Sequence, residues 1–166
     1  SLENCLALRS DGIVVRWGRT VNGYGNQNEP SFGGVPAVKV EGGGAHAVAL
    51  LANGAIVAWG YNYYGQAQVP LLAPGLTCVD IACGSNHSLA LVSDGTVVGW
   101  GDNTFGQLQI PTLPPGLTYV GIGCGGAHSL VLRSDGALLA FGYNGGMTGN
   151  GWLGGQINVP TLPPGV

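Results

Sequence analysis

Charge is what this chain has least of. Charged residues fill 8% of its 166 positions, five basic against eight acidic, for a formal charge of −3, where an average domain carries roughly 25%. Lys39 is the only lysine. A surface that grips nucleic acid through its phosphates needs clustered Lys and Arg, so no nucleic-acid partner is expected. No apolar run is long enough for a membrane-spanning helix and no signal-peptide layout stands out. A membrane is therefore not expected as a partner, and the compartment stays open with a lean towards the extracellular side. The signatures of catalysis are missing as well. No serine sits in a nucleophile elbow, and no phosphate-cradling Gly-x-x-x-x-Gly-Lys segment occurs. Cys78, Cys83 and Cys124 lie 5 and 41 residues apart, which matches no zinc spacing; with Cys5 they read as small buried thiols. The expectation is a non-enzyme with no cofactor and no metal.

Glycine, proline and apolar residues are abundant. There are 32 glycines and 10 prolines, and 45% of the chain is hydrophobic, too much for a disordered segment. Short strands joined by tight turns satisfy both facts. The segments HAVALLANGAIVAWG (46–60), HSLALVSDGTVVGWG (87–101) and HSLVLRSDGALLAFG (128–142) start 41 residues apart, and NCLALRSDGIVVRWG (4–18) is a fourth copy. Such self-similarity at a fixed period marks a repeat architecture. Asp11-Gly12, Asn53-Gly54, Asp94-Gly95 and Asp135-Gly136 predict hairpins with positive φ at both central residues. Ahead of each later hairpin stands an alternating strand such as TYVGIGC, and a short fourth strand is expected around GQAQVP, GQLQIP and GGQINVP. The fold class is all-β: four-stranded antiparallel propeller blades of about 41 residues, four repeats in one array over 1–166, the first lacking its innermost strand.

The motif G-x-x-H-[SA]-[LV]-x-L-x-x-[DN]-G-x-x-x-x-[WF]-G followed by N-x-x-[YF]-G-Q resembles the repeat of the regulator of chromosome condensation superfamily. The short period and the Val-Pro linkers are closer to its bacterial members, such as beta-lactamase inhibitory protein II. The resemblance implies a β-propeller, and propellers of this family close with seven blades, about 290 residues at this period. Four repeats thus imply part of a larger ring, or a ring completed by another copy, with a strained four-bladed monomer as the third alternative. Family members act as exchange factors, inhibitors and docking modules alike, so the fold leaves the activity open.

Comparing the copies with one another separates frame from specificity. His46, His87 and His128 recur at one site with Asn4 in the first copy, which points to hydrogen bonding of backbone groups in the glycine-rich turn rather than to catalysis. Trp17, Trp59, Trp100 and Phe141 read as core between blades, as do Tyr24, Tyr64 and Phe105; Gln66, Gln107 and Gln156 read as backbone hydrogen-bonders. The loops after the third strand break the pattern. Arg19, Tyr61, Asp102 and Tyr143 are equivalent but chemically unlike, and Tyr63 has Thr104 as its counterpart. The last loop carries about eight extra residues with Met147, Asn150 and Trp152. Tyr, Trp, Asn and Gly suit protein-binding loops. The expected function is a non-catalytic module that binds a protein through Tyr61, Tyr63, Asp102, Thr104, Tyr143, Met147, Asn150 and Trp152. A sugar-binding propeller, or a structural or engineered fragment that self-assembles into a homo-oligomer, are the alternatives.

Overall fold

A computed structural model describes residues 4–18, 30–145 and 155–160, and its regular elements are all strands. The first hairpin is β1 (Asn4–Leu8) with β2 (Val14–Gly18). The second unit is β3 (Ala37–Gly42), β4 (His46–Leu51) and β5 (Ile56–Gly60), and the third is β6 (Cys78–Cys83), β7 (His87–Val92) and β8 (Val97–Gly101). The fourth is β9 (Tyr119–Cys124), β10 (His128–Arg133) and β11 (Leu138–Gly142). Each unit is its own antiparallel sheet, two-stranded in the first and, in the other three, three-stranded with the hairpin's first strand in the middle. One register runs through all four hairpins: Asn4 faces Gly18, His46 faces Gly60, His87 faces Gly101 and His128 faces Gly142.

The hairpin turns differ from the two-residue form expected of Asp-Gly. In the second unit Gly54 N–H donates to Leu51 O at 2.8 Å and Leu51 N–H to Ala55 O at 2.9 Å, which puts Asn53 at the third position of a β-turn and Gly54 after it. The positive φ falls on the glycine, at 79–86° across the four turns, so the connection is a β-turn closed by a glycine bulge. The acid or amide braces the turn from its side chain. Asp11, Asn53, Asp94 and Asp135 each accept the N–H two residues on, an Asx turn.

The fourth strand does not form a ladder among the described residues. Pro70 and Pro111 have no N–H to give, and Ile110 N–H turns back to Leu108 O at 2.9 Å. The segment still packs: Val69 joins the core of one sheet boundary, and Ile110 and Leu113 that of the next.

Cores lie between sheets rather than within them. Strand β4 sends Ala47, Ala49 and Leu51 back onto Val14, Leu6 and Leu8 of the first sheet. Its alternate residues Val48 and Leu50 go forward onto Ile81, Ala90 and Trp100 of the third. With both faces covered, HAVALL is buried at every position, which explains why it reads as an unbroken apolar run. Leu91 of the third sheet meets Tyr119, Val131 and Phe141 of the fourth in the same way. Backbone bonds staple these boundaries at both ends. Gly12, Gly54 and Gly95 carbonyls accept from Ala37, Cys78 and Tyr119 of the following sheet at 2.8–3.1 Å. At the opposite end Gly44 N–H donates to Ser85 O, and Ser85 N–H to Gly126 O, both at 2.9 Å. Lys39 adds a cross-sheet tie, its Nζ 2.6 Å from Asp80 Oδ1 and 2.8 Å from Ile81 O.

Trp59, Trp100 and Phe141 are buried in these boundaries as expected, whereas Trp17 is 54% exposed. Cys78 is buried and Cys83 and Cys124 are half-buried, while Cys5 is exposed against expectation; all four are free thiols. Both exceptions lie on the face of β1–β2 turned away from the second sheet. Trp100 also donates its indole N–H to Gln66 O at 2.9 Å. Phe141 shows that a phenyl ring fits this site, so Trp100→Phe should cost about 1 kcal/mol for the lost bond. Trp100→Ala should cost about 3–5 kcal/mol, and urea denaturation measures both.

Candidate functional site

Each loop leaves its sheet from the same point. Gly60, Gly101 and Gly142 hold φ of 100–107°, a region that side chains disfavour. A Cβ on Gly60 would also stand 2.7 Å from Ala45 O. The residue after each glycine is then fixed by its own N–H: Tyr61 to Ala45 O, Asp102 to Asn86 O and Tyr143 to Ala127 O, at 2.8–2.9 Å. Three unlike side chains therefore start from equivalent anchors.

The rest of the loop is built on amide side chains. Asn62 Oδ1 accepts from Ala67 N–H at 2.9 Å and Asn103 Oδ1 from Leu108 N–H at 2.8 Å. Gln66 and Gln107 accept from Tyr64 and Phe105 N–H at 2.9 and 2.8 Å, the backbone role expected of them. In the fourth loop Asn144 Oδ1 accepts from Ile157 N–H at 3.2 Å, the bond that Asn62 and Asn103 make. The extra residues thus enter between the same two anchors used by the short loops. Met147, Asn150 and Trp152 lie outside the described residues, as do Arg19 and Tyr24.

Tyr63 is 77% exposed and lies parallel to Tyr61, with ring centroids 6.3 Å apart and planes 9° from parallel. Tyr64 meets Tyr63 edge-on at 5.0 Å. Phe105 leans across the sheet boundary onto Tyr143 at 4.7 Å. Tyr64 and Phe105 are exposed, so their expected place in the core is wrong. Their backbone N–H groups are spent on the loop's glutamine, and the turn closed by Gly65 and Gly106 leaves the rings outside. They extend the aromatic surface instead, and sequence comparison missed them because a ring repeated in every copy looks like core. Asp102 and Thr104 are tied to one another, since Asp102 Oδ1 accepts both the N–H and the hydroxyl of Thr104. Burial alone would raise the Asp102 carboxyl, but the Thr104 and Gln107 hydrogen bonds outweigh it and hold the group below its usual value.

The histidines work beneath this face. His46 Nε2 lies 2.8 Å from Ser88 Oγ and His87 Nε2 lies 3.0 Å from Ser129 Oγ, each on the following sheet. Their partner is thus a side chain across the boundary, where a backbone group was expected; the turn backbone bonds itself, Gly43 and Gly84 N–H donating to His46 and His87 O. Ser129 in turn donates to Gln107 O at 2.7 Å. The His87 proton therefore sits on Nε2, giving a relay from imidazole N–H to hydroxyl to carbonyl. Nδ1 of both rings is buried without a hydrogen-bond partner in the chain, against a glycine where a Cβ would come within 2.5 Å. Among the described residues, no group of three or more His, Cys, Asp or Glu could hold a metal ion.

Residues 37–66, 78–107 and 119–145, together more than half of the chain, match the Regulator of chromosome condensation (RCC1) repeat. The chain belongs to the RCC1 repeat family. Each matched segment opens on the first strand of a three-stranded sheet; the first two take in the loop after the third strand and the last ends just inside it. The human protein HERC3 is 38% identical over 74 residues, covering 38% of this chain and 7% of that protein. Human E3 ubiquitin-protein ligase HERC2 is 35% identical over 74 residues, covering 39% of this chain and 2% of that protein. Among solved structures, Prp20p of Saccharomyces cerevisiae superposes with a TM-score of 0.70 at 28% identity, covering 84% of this chain and 41% of that one. The ectodomain of the receptor kinase CR4 from Physcomitrella patens gives 0.66 at 27% identity, covering 84% of this chain and 39% of that one. The chain spans well under half of each of these proteins. The RCC1 sheets here are propeller blades.

The buried histidines make blade packing pH-dependent. Burial first of all lowers both His46 and His87 to about 4; His87 adds to the effect on His46, while for His87 the Asp102 charge opposes it and His128 adds to it. An unfolded imidazole titrates near 6.5. The folded state therefore binds fewer protons between these values, so stability is complete above pH 6.5 and falls as pH drops towards 4, by about 3 kcal/mol per histidine. Urea denaturation at pH 7.5 and 4.5 measures the loss, and His87→Asn should remove about half of the difference.

Proposed function

We propose that this chain is a non-catalytic protein-binding module whose partner docks on the loop face, with Tyr63 at its most accessible point. The observation that carries this reading is a fixed scaffold with variable decoration. Equivalent glycine and asparagine anchors hold every described loop, while the residues they present differ from blade to blade. Rigid, half-stacked tyrosines lose little entropy on contact and bury a large area, which is why such residues dominate protein interfaces. A solved relative favours the same class of function: the structure of Prp20p was described with its binding to Gsp1p and histones, and the same protein, yeast RCC1 (Prp20), was solved with Kap60 bound. Met147, Asn150 and Trp152 lie outside the described residues and are included in the proposal on the sequence alone. A sugar-binding propeller would present one pocket repeatedly, and Tyr63, Thr104 and Gly145 follow the anchoring asparagines with three different chemistries.

The test is a comparison of the wild-type chain with Tyr63→Ala and Tyr143→Ala in affinity capture, followed by titration of the protein recovered. Each alanine should weaken binding at least tenfold, about 1.4 kcal/mol, with the circular dichroism spectrum unchanged. Equal affinity of both variants would refute the loop face as the binding surface.

A further inference from the structure

Among the described residues of the loops, 61–68, 102–109, 143–145 and 155–158, Asp102 is the one charged side chain. The turns at the same end of the sheets, 43–45, 84–86 and 125–127, are uncharged, and the N–H groups of Tyr61, Asp102 and Tyr143 bond to them. The hairpin acids Asp11, Asp94 and Asp135 sit at the opposite end of the blades. Asp102 belongs to the third sheet, so both boundaries that frame it are internal to the chain. Its hydrogen bonds are filled while its charge is left over. Thr104 donates an N–H and a hydroxyl to Oδ1, Gln107 adds a further bond, and all of these donors are neutral. Burial opposes ionisation, but these bonds outweigh it and keep the carboxyl ionised at neutral pH. Arg9 is held by Asp11, Lys39 by Asp80 and Glu41, and Arg133 by Asp135; no ion pair between described residues involves Asp102.

Rings stand on both sides of this carboxylate. Across the boundary between the third and fourth sheets, Phe105 meets Tyr143 at 4.7 Å. The same step across the boundary before it leads from Tyr64, the counterpart of Phe105, to Asp102, the counterpart of Tyr143. Tyr64 carries Tyr63 edge-on at 5.0 Å, and Phe105 follows Asp102 in its own loop. All three rings are exposed. The faces of such rings are negative, so rings and carboxylate together attract a cation and repel an anion.

We propose that the loop face receives an arginine of its protein partner, with the guanidinium on the Asp102 carboxylate and the rings of Tyr64 and Phe105 beside it. This rests on the reading of the loop face as a protein-binding surface and names the chemistry of the partner. A guanidinium fits better than an ammonium, because its edge donates to a carboxylate while its plane lies on a ring.

Fluorescence anisotropy with a labelled, capped Gly-Arg-Gly-Arg-Gly peptide tests this against the same peptide carrying citrulline, which keeps the shape of arginine without its charge. The wild-type chain should bind the arginine peptide about fivefold more tightly or better. Asp102→Asn should remove that preference, because asparagine keeps the Oδ1 acceptor for Thr104 and loses only the charge. Asp94→Asn changes the net charge equally and should bind like wild type; Asn53 shows that the amide fits that turn. Tyr64→Ala should weaken the arginine peptide about threefold, with its loop intact because the bond to Gln66 uses the backbone N–H. Equal binding of the two peptides, a loss no larger in Asp102→Asn than in Asp94→Asn, or unchanged binding in Tyr64→Ala would each overturn the proposal. Its failure is separable from that of the loop-face reading. A captured partner whose affinity drops in Tyr63→Ala but not in Asp102→Asn overturns the arginine alone. A partner unaffected by Tyr63→Ala, Tyr143→Ala and Asp102→Asn overturns both.

Discussion

A three-stranded sheet has two faces, and in the inner units of this chain both are apolar, so no sheet is stable without a neighbour on either side. The contact between successive sheets is therefore the interaction on which everything else depends. Between the second, third and fourth sheets it is made of four repeated parts: an aromatic ring, a histidine-to-serine bond, and a backbone staple at each end. The ring supplies the apolar area that drives association. The polar parts fix how the sheets sit, because a buried imidazole with its Nε2–H unpaired would cost more than the bond itself contributes. Glycine at Gly43 and Gly84 is part of the same device. The imidazole packs against a backbone with no Cβ, and any side chain there would push the ring off its serine.

That dependence accounts for what the sequence made legible. The repeat, the hairpins and their register follow from local chemistry: an Asx turn ahead of a bulge glycine, and a run of apolar residues between. Those signals lie within fifteen residues, and the structure agrees with them on the repeat and the hairpins, while each turn closes on a glycine bulge in place of the expected two-residue form. What a residue packs against was less legible, because it depends on the neighbouring unit. Trp17 and Trp100 occupy the same place in closely similar local sequence, yet one is exposed and the other buried. His46 and His87 bond a serine 42 residues away in place of the backbone groups expected of them, and no local window contains that partner. That the fourth strand forms no ladder among the described residues has a local cause in Pro70 and Pro111, which the expectation of a four-stranded blade outweighed.

The loop face shows the limit of comparing repeats. Identity across copies marks frame and difference marks specificity only where each copy has the same surroundings. Tyr64 and Phe105 are repeated and still lie on the surface, because the frame at that point is the backbone turn and the ring is simply what it displays. What the ring then does depends on the next blade. Phe105 reaches Tyr143 across the boundary, whereas Tyr64 has Asp102 there and turns to Tyr63 instead. A carboxylate held low by Thr104 and Gln107 is a poor neighbour for the electron-rich face of a ring, so the single change from Tyr to Asp reorganises the aromatic surface on both sides.

It follows that the loop face and the stability of the array are not separable properties. The glutamine that positions each aromatic by its N–H is the residue on which the following sheet rests, and its carbonyl takes the indole of Trp100 or the hydroxyl of Ser129. Loosening a boundary therefore frees the base of the loop above it before it exposes much core. Protonation of a buried histidine acts at the same place, because the imidazole, the serine and the Gln107 carbonyl form one chain that ends beneath Phe105. A face assembled in this way is rigid as long as the blades are in contact. Its variability is confined to side chains that no neighbour needs, and those are the groups free to become specific for a partner.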